Sequence, residues 1–165
     1  MAIAQKPDGT RAAVLTVSDS CSRGEKVDLS GPAVAKALER RKFQVVVQSV
    51  VADESAEIQD KLIELCRSAR FVVTTGGTGL APRDVTPEAT AAVCGRLVEG
   101  IAEQMRFHGA RKTRFSALSR AVCGIRGTSL ILNLPGSPAG AVESLEAVME
   151  LLPHALELIA GKTEH

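Results

Sequence analysis

A glycine-rich turn at residues 76–79 is the part of the sequence whose residue types most directly predict chemistry. It combines glycines with hydroxyl side chains, and its members are Thr75, Gly76, Gly77, Thr78 and Gly79. Glycine has no Cβ and tolerates positive φ, so successive backbone N–H groups can point into one concavity and approach a ligand closely. We predict that this turn binds an anion, while the alternative, a turn that serves only backbone geometry, stays open.

Two familiar phosphate-binding motifs do not fit this turn. A P-loop requires G-x-x-x-x-G-K-[ST], and the sequence has no lysine between Lys61 and Lys112. A dinucleotide fingerprint read from Gly77 would place Pro82 where the third glycine must let a helix pack on a strand. The predicted anion site therefore belongs to another class.

A charged pair and a helix start follow the turn. Arg83 and Asp84 come first, and Thr86-Pro87-Glu88 then predicts an N-cap, a proline at the first helical position and an acid in the first turn. Carboxylates together with phosphate oxygens are the usual ligands of Mg²⁺, so Asp84 is a candidate metal ligand. The alternative for Asp84 is an ion pair with a cation such as Arg83.

A second rigid turn, N-L-P-G-S-P, occupies residues 133–138. Ser137 is predicted as an N-cap with Pro138 at the first helical position, so the helix presents free N–H groups and the positive end of its dipole. We predict a second anion site here, formed by Asn133, Pro135, Gly136 and Ser137. A plain capped junction between strand and helix is the alternative.

Polar side chains end the first two predicted strands. Ser18 and Asp19 follow the first strand, and Asp53 and Glu54 follow the second. Ligands of α/β proteins collect outside the carboxyl ends of the strands, so these residues are candidates for the site. The alternatives are that Asp19 only caps a turn and that Asp53 is the N-cap of a helix over residues 55–69.

Short apolar runs alternate with helical patterns along the chain. Strands are predicted over residues 12–17, 43–51, 71–73, 122–125 and 129–134. Helices are predicted from residue 31, over 55–69, over 87–97, over 99–112 with a break or an end near Gly109, and from 138 to 161 with a break at Pro153. Because the strands are apolar without clean alternation, we predict an α/β fold, a three-layer sandwich with a mostly parallel central sheet and helices on both faces. Residues 1–10 are predicted as a loose arm and 11–161 as a single domain.

A basic segment without any acid extends from Gln104 to Val142. Its cations are Arg106, Arg111, Lys112, Arg114, Arg120 and Arg126. Unopposed cations indicate an anionic partner, and Arg106, Arg114 and Arg120 are candidates to face a phosphate. A solvated basic surface is the alternative.

The composition sets limits on the partners and on the compartment. With a formal net charge of +1 and four Phe as the only aromatic residues, the chain indicates no nucleic-acid partner. No apolar run reaches the roughly 18 residues of a membrane helix, so no membrane partner is expected. The four cysteines form no C-x-x-C pair and residues 1–10 contain no apolar signal region, which predicts free thiols in the cytoplasm.

Three segments together resemble the MogA/MoaB/gephyrin G-domain family of molybdenum-cofactor biosynthesis proteins. They are T-T-G-G-T-G-L-A-P-R-D-V-T-P-E-A-T, L-T-V-S-D-S-C-S-R-G-E-K-V-D-L-S-G-P and L-I-L-N-L-P-G-S-P, and they occur in the family's order. The resemblance covers residues 12–159 and does not separate MogA-like from MoaB-like members. The chain departs from the family pattern at Ala52, where relatives carry proline, and at Ser20, where many carry arginine.

The resemblance implies Mg-ATP-dependent adenylylation of molybdopterin, a nucleotidyltransferase reaction that releases pyrophosphate. It assigns Asp53 and Asp84 as catalytic acids and metal ligands. The phosphate- or pterin-binding residues carried over from the family are Ser18, Asp19, Thr75, Gly76, Gly77, Thr78, Gly79, Asn133, Pro135, Gly136 and Ser137. It also implies a homotrimer and a molybdate-insertion protein as partner. The alternative is a MoaB-like protein that binds molybdopterin without adenylating it.

Overall fold

The computed structural model describes residues 9–162. The strands are β1 (Arg11–Val17), β2 (Gln44–Val51), β3 (Phe71–Thr75), β4 (Arg96–Leu97), β5 (Cys123–Arg126) and β6 (Ser129–Leu134). The α-helices are α1 (Asp19–Ser22), α2 (Ser30–Arg40), α3 (Ser55–Leu65), α4 (Thr86–Val93), α5 (Glu99–Gly109), α6 (Pro138–Glu146) and α7 (Leu152–Ile159), and a 3-10 helix spans Arg114–Leu118.

The strands form one sheet in the order β2-β1-β3-β6-β5-β4. The β1–β2, β1–β3 and β3–β6 pairs are parallel, whereas β5 and β4 are added antiparallel at one edge. The β5–β6 hairpin turns at Gly127, whose positive φ of 55° suits the tight connection. The prediction of a mostly parallel α/β sheet is confirmed.

Two apolar clusters cover the two faces of the sheet. On one face, Val14, Val73 and Leu132 pack with α2, α5, α6 and α7. On the other, Leu15 and Val72 pack with α3 and α4. Because side chains of a strand alternate between faces, each central strand contributes to both clusters, which explains why its sequence is mostly apolar.

Several predicted boundaries differ from the structure. The predicted helix over 87–97 ends at Val93, since residues 96 and 97 pair with β5 as the short strand β4. The helix after Asp53 ends at Leu65 instead of residue 69. The end of α5 at Gly109 agrees with the prediction. Sequence periodicity did not predict α1, β4 or the 3-10 helix, because elements of two to five residues are too short to show a period.

The predicted loose arm lies outside the described residues except for Gly9 and Thr10. Both are hydrogen-bonded, since Gly9 N–H donates to the Lys42 carbonyl at 3.2 Å and the Thr10 carbonyl accepts from Gln44 N–H at 2.9 Å. Within residues 9–162, no helix has the length and apolar character needed to cross a membrane.

Candidate functional site

The predicted site residues meet at one edge of the sheet. The strands β2, β1, β3 and β6 are parallel neighbours, so the turns that follow them come together at their carboxyl ends. The cleft at this edge is lined by residues from three of these turns, Ser18, Thr75, Gly76 and Gly136. The strand order thus joins segments that are 118 positions apart in the chain, counted from residue 18 to residue 136.

The glycine turn has the backbone conformation that glycine alone adopts easily. Gly76 and Gly77 have φ of 97° and 67°. A Cβ on Gly76 would lie 2.3 Å from the Val17 carbonyl oxygen, and one on Gly136 would lie 3.4 Å from Gly76 Cα. The two predicted anion turns therefore lie against each other, and Gly76 in addition packs too closely on Val17 for any side chain.

Thr86 stabilises the glycine turn through two hydrogen bonds. Its buried hydroxyl donates to the Gly76 carbonyl at 2.9 Å, and its backbone N–H donates to the Gly77 carbonyl at 3.1 Å. The prediction that Thr86 is the N-cap is wrong, since Val85 occupies that position without a side-chain cap bond. Thr86 instead fixes the left-handed residues of the turn, a function that its place before Pro87 did not reveal.

Thr86→Val should destabilise the fold, because it keeps the side-chain shape and leaves the buried Gly76 carbonyl without its hydroxyl donor. We expect a loss of about 1–3 kcal/mol in the free energy of unfolding, measured by urea denaturation. Thr128→Val removes a hydroxyl from an exposed threonine and is the matched control. Equal stability of the two variants would show that the Thr86 hydroxyl does not support the turn.

Asp19 and Asp53 hold each other through reciprocal hydrogen bonds. Asp19 N–H donates to Asp53 Oδ2 at 2.9 Å, and Asp53 N–H donates to Asp19 Oδ1 at 3.0 Å. The alternative in which Asp53 is the N-cap of α3 is wrong, since Glu54 stands at that position. The other oxygen of Asp53 faces the glycine turn, because a Cβ on Gly77 would lie 3.1 Å from Oδ1.

The two carboxylates of this pair have opposite pKa shifts. Burial raises the pKa of Asp53, and the negative charges of Asp19 and Asp84 act in the same direction. The Arg83 guanidinium lowers the pKa of Asp19 by hydrogen bonding. The ionised form of Asp53 is therefore disfavoured, and a cation beside the carboxylate would favour that form.

Arg83 forms its ion pairs away from Asp84. Its guanidinium donates to the two oxygens of Asp19 at 3.0 and 2.9 Å and lies 2.8 Å from Glu54 Oε1. These pairs are exposed and contribute little to stability. The alternative of an Asp84–Arg83 ion pair does not form in this structure.

Asp84 lies directly over the end of the glycine turn. Its Oδ2 accepts from Ala81 N–H at 3.0 Å, and a Cβ on Gly79 would lie 2.9 Å from the same oxygen. Asp53 Oδ1 and Asp84 Oδ2 therefore both lie beside the glycine turn, next to Gly77 and Gly79 respectively, and the negative charge of Asp84 contributes to the raised pKa of Asp53.

The carboxylates beside the glycine turn offer a metal ion hard oxygen ligands. Residues 9–162 contain no group of three or more His, Cys, Asp or Glu side chains arranged to hold a metal ion alone. Mg²⁺ is commonly bound by one or two carboxylates that share it with substrate phosphates, and Asp53 and Asp84 match that donor set. The raised pKa of Asp53 is a further sign that a cation would be favoured here.

Arg120 hydrogen-bonds to the loop that follows the glycine turn at several points. Its guanidinium donates to the Gly79 carbonyl at 2.8 Å, to the Asp84 carbonyl at 2.7 Å and to the Glu88 carboxylate. Its backbone N–H donates to the Thr78 carbonyl at 2.9 Å. Sequence analysis treated Arg120 as a candidate phosphate ligand, and no sequence signal linked it to these acceptors.

The other cations of the basic segment also have partners within the protein. Arg106 donates to the Ala121 carbonyl at 3.0 Å, and Lys112 Nζ lies 2.7 Å from Glu143 Oε1. Arg114 lies over the Phe115 ring, 5.5 Å from its centroid. The interpretation of six unopposed cations is therefore wrong for Lys112 and Arg120, because acids distant in sequence lie beside them in the fold.

The side chains of Asn133 and Thr75 are fully buried, Thr75 at the inner wall of the cleft. The fully buried Asn133 amide donates to Thr74 and Thr90 at 3.0 and 2.9 Å, and its oxygen accepts from Val122 N–H at 3.1 Å. The buried Thr75 hydroxyl lies 2.6 Å from the Ser30 hydroxyl. The polar groups of both side chains therefore have hydrogen-bond partners within the protein.

The second turn separates two cavities. Gly136 lines the cleft at the strand ends, while Pro135 and Ser137 line a cavity between α5 and α6. Ser137 is the N-cap of α6, as predicted, with its Oγ accepting from Gly140 N–H at 3.2 Å. The turn thus presents different residues to two neighbouring cavities.

Asp28 is a further residue that sequence analysis missed. It accepts from the Thr16 hydroxyl at 2.7 Å and from Gly31 N–H at 3.0 Å, beside the cleft. An aspartate three residues before a helical N–H is a typical capping arrangement. This spacing of Asp28 and Gly31 could have predicted the hydrogen bond from the sequence.

Comparisons with known proteins agree on one family. Residues 13–154 match the family described as "Probable molybdopterin binding domain". A molybdopterin adenylyltransferase of Helicobacter pylori is 43% identical over 152 residues, which cover 90% of this chain and 86% of the relative. The molybdopterin adenylyltransferase of Escherichia coli is 37% identical, covering 92% of this chain and 86% of the relative.

Solved structures have the same fold. The molybdopterin biosynthesis enzyme MoaB of a Thermus species superposes with a TM-score of 0.87 at 50% identity, covering 93% of this chain and 98% of that one. A MogA structure superposes with a TM-score of 0.86 at 39% identity, covering 90% of this chain and 99% of that one.

Proposed function

Because this chain belongs to the molybdopterin-binding domain family, matched over residues 13–154, we propose that it is a molybdopterin adenylyltransferase of molybdenum-cofactor biosynthesis. Relatives with that name are 37% and 43% identical to it over most of its length. In the reaction, a phosphate oxygen of molybdopterin forms a bond to the α-phosphorus of ATP. The bond from that phosphorus to the β-phosphate bridging oxygen breaks, and pyrophosphate leaves.

The observation that carries this proposal is that the carboxylates of Asp53 and Asp84 both lie beside one glycine turn, next to Gly77 and Gly79. Adenylyl transfer needs no nucleophile from the protein, since the substrate's own phosphate attacks. What it needs is a surface that holds two phosphate-bearing substrates close together and stabilises the charge that develops between them. The backbone of Gly76, Gly77 and Gly79 approaches phosphate oxygens without a side chain in the way.

Mg²⁺ is part of the proposal, with Asp53 and Asp84 as its protein ligands. When bound, it would neutralise phosphate charge and polarise the reacting phosphoryl group. The protein's own contribution is to hold both carboxylates beside the glycine turn. For Asp53, the bond from Asp19 N–H supports the ionised form against the effect of burial.

The proposal also covers the oligomeric state of the protein and its cellular compartment. We propose a homotrimer in the cytoplasm that hands its product to a molybdate-insertion protein. Exposed apolar side chains on α5 and the 3-10 helix, Phe107, Phe115 and Leu118, support an interface between copies. Free cysteines at four positions suit a reducing compartment.

Incubation of the purified protein with molybdopterin, ATP and Mg²⁺ tests this function. Formation of adenylyl-molybdopterin and pyrophosphate is the expected result. Molybdopterin binding without turnover would support the MoaB-like binding protein instead, and neither binding nor turnover would contradict the family's function for this chain.

A further inference from the structure

We infer that Arg120 is a positioning residue whose guanidinium sets the place of the Asp84 carboxylate over the glycine turn. This inference rests on the proposed function, because it concerns how one of the two carboxylates of that site is held. Arg120 follows the 3-10 helix and lies 36 positions from Asp84 in the sequence, so only the fold brings the two together.

The acceptors of Arg120 are several and are spread along the loop that follows the glycine turn. Three different nitrogens of one guanidinium donate to Gly79, Glu88 and Asp84, and the Arg120 backbone N–H donates to Thr78. These acceptors begin in the glycine turn and end in the first turn of α4. One side chain therefore fixes both ends of the loop that carries Asp84.

The backbone and the carboxylate of Asp84 both hydrogen-bond to Ala81. The side chain accepts from Ala81 N–H at 3.0 Å, while Asp84 N–H donates to the Ala81 carbonyl at 2.9 Å, so the loop closes on itself. Asp84 Oδ2 would lie only 2.9 Å from a Cβ on Gly79. A shift of either carbonyl held by Arg120 therefore moves the carboxylate relative to the turn.

Three bonds from three separate nitrogens require an arginine at position 120. Guanidinium is planar and carries its donors in a fixed fork, so it can bind acceptors in several directions of one plane at once. A lysine has the same charge but a single ammonium on a flexible chain, and it cannot reproduce three bonds from three separate nitrogens. A lysine at this position would keep the positive charge but lose the fork. Its effect therefore distinguishes a positioning role of Arg120 from a direct electrostatic contact with a phosphate.

Arg120→Lys is the deciding variant, and Arg126→Lys is its matched control. Arg126 also donates from its guanidinium to a backbone carbonyl, that of Val93, but it lines a cavity with Cys66 and Thr128 that shares no residue with the cleft. We expect Arg120→Lys to lower kcat by about tenfold to a hundredfold, since misplacement by about an ångström can cost that much. The KM for molybdopterin should stay within about twofold of wild type, because the lost interaction acts on the transition state.

Hydrogen exchange provides a readout that needs no substrate. The amides of Ala81 and Asp84 donate within the loop, so residue-resolved exchange by NMR should be faster for both in Arg120→Lys and in Arg120→Ala. Arg126→Lys should leave both amides, and kcat, as in wild type.

Three outcomes would overturn the inference. A normal kcat in Arg120→Lys would show that the fork is not needed. A raised KM with unchanged kcat would indicate a direct contact with the ligand. A lowered kcat with unchanged exchange at both amides would show that Arg120 does not order the loop. Each of these outcomes is read against the activity of the wild-type protein. If the wild-type protein shows no adenylyl transfer, the proposed function fails before any variant is compared.

Discussion

Asp84→Asn should give a folded protein that binds molybdopterin and has lost most of its adenylyl transfer. Asparagine keeps the shape of the side chain, and its oxygen can still accept from Ala81 N–H, so the loop should persist. The change removes a negative charge above the glycine turn, where the triphosphate and its cation are proposed to bind. We expect the single-turnover rate to fall by about a hundredfold or more, the scale of losing one electrostatic contact made in the transition state.

A structural role for Asp84 would give a different result. Its carboxylate would then have to stabilise the fold by pairing with a cation, but Arg83 pairs with Asp19 and Glu54 instead. Melting temperature and single-turnover rate measured on one preparation distinguish the two roles. Asp60→Asn, on the exposed surface of α3, is the matched control and should change neither quantity. Near-normal turnover in Asp84→Asn would remove it from the catalytic residues.

Asp53→Asn should lose activity on a similar scale without losing stability. The variant still offers an oxygen to Asp19 N–H, but it no longer carries a charge that burial and two neighbouring carboxylates make unfavourable. We expect a melting temperature at neutral pH that is equal to or above that of wild type, together with a transfer rate reduced by about a hundredfold. A clear drop in melting temperature would show that the Asp53 charge is stabilising and would contradict this account of the site.

The pKa of Asp53 fixes the sign of the pH dependence. Its folded-state pKa is raised above the model-peptide value of 3.8, so its favourable contribution to stability is full below the unfolded pKa and is lost as pH rises through the folded pKa. NMR titration of the carboxyl carbon should therefore give a pKa above 3.8 in wild type. Asp84→Asn should lower that pKa, because it removes one of the negative charges nearby. An unchanged pKa in Asp84→Asn would place the two carboxylates too far apart for the proposed site.

Local chemistry made a large part of the fold and the site predictable from the sequence. Unbroken apolar runs predicted β1 and β3 within two residues of their ends, since strands buried on both faces need no polar positions. Ser137 and Pro138 predicted the start of α6, because capping depends on adjacent residues. The glycine turn was predicted because a left-handed backbone restricts residue type.

What the sequence did not reveal depends on contacts between distant residues. The Thr86 hydroxyl could as well cap its own helix as bind the Gly76 carbonyl, and only the fold decides between them. Arg120 and Lys112 lie in a segment without acids, yet Glu88 and Glu143 reach them from other elements. Asn133 lies in a predicted site turn, but its position on β6 directs its side chain to Thr74 and Thr90.

Gly77 shows how the structure changes the design of an experiment. From the sequence, a branched side chain there should fill the anion concavity and leave the fold intact. In the structure, φ is 67° and a Cβ would lie 2.3 Å from the buried Thr86 hydroxyl oxygen. Gly77→Val would therefore strain the fold as well as block the turn, so carboxylate variants are the cleaner tests of function.

The most direct test of the central claim is a single-turnover reaction in which the label of ATP is followed. Wild-type protein in excess over molybdopterin is mixed with Mg²⁺ and ATP labelled at either the α- or the γ-phosphate, with Asp84→Asn run in parallel. The account predicts that α-label enters the molybdopterin product, that γ-label appears in pyrophosphate, and that Asp84→Asn binds molybdopterin but transfers little label. Release of γ-label as inorganic phosphate, without α-label in molybdopterin, would contradict adenylyl transfer by this site.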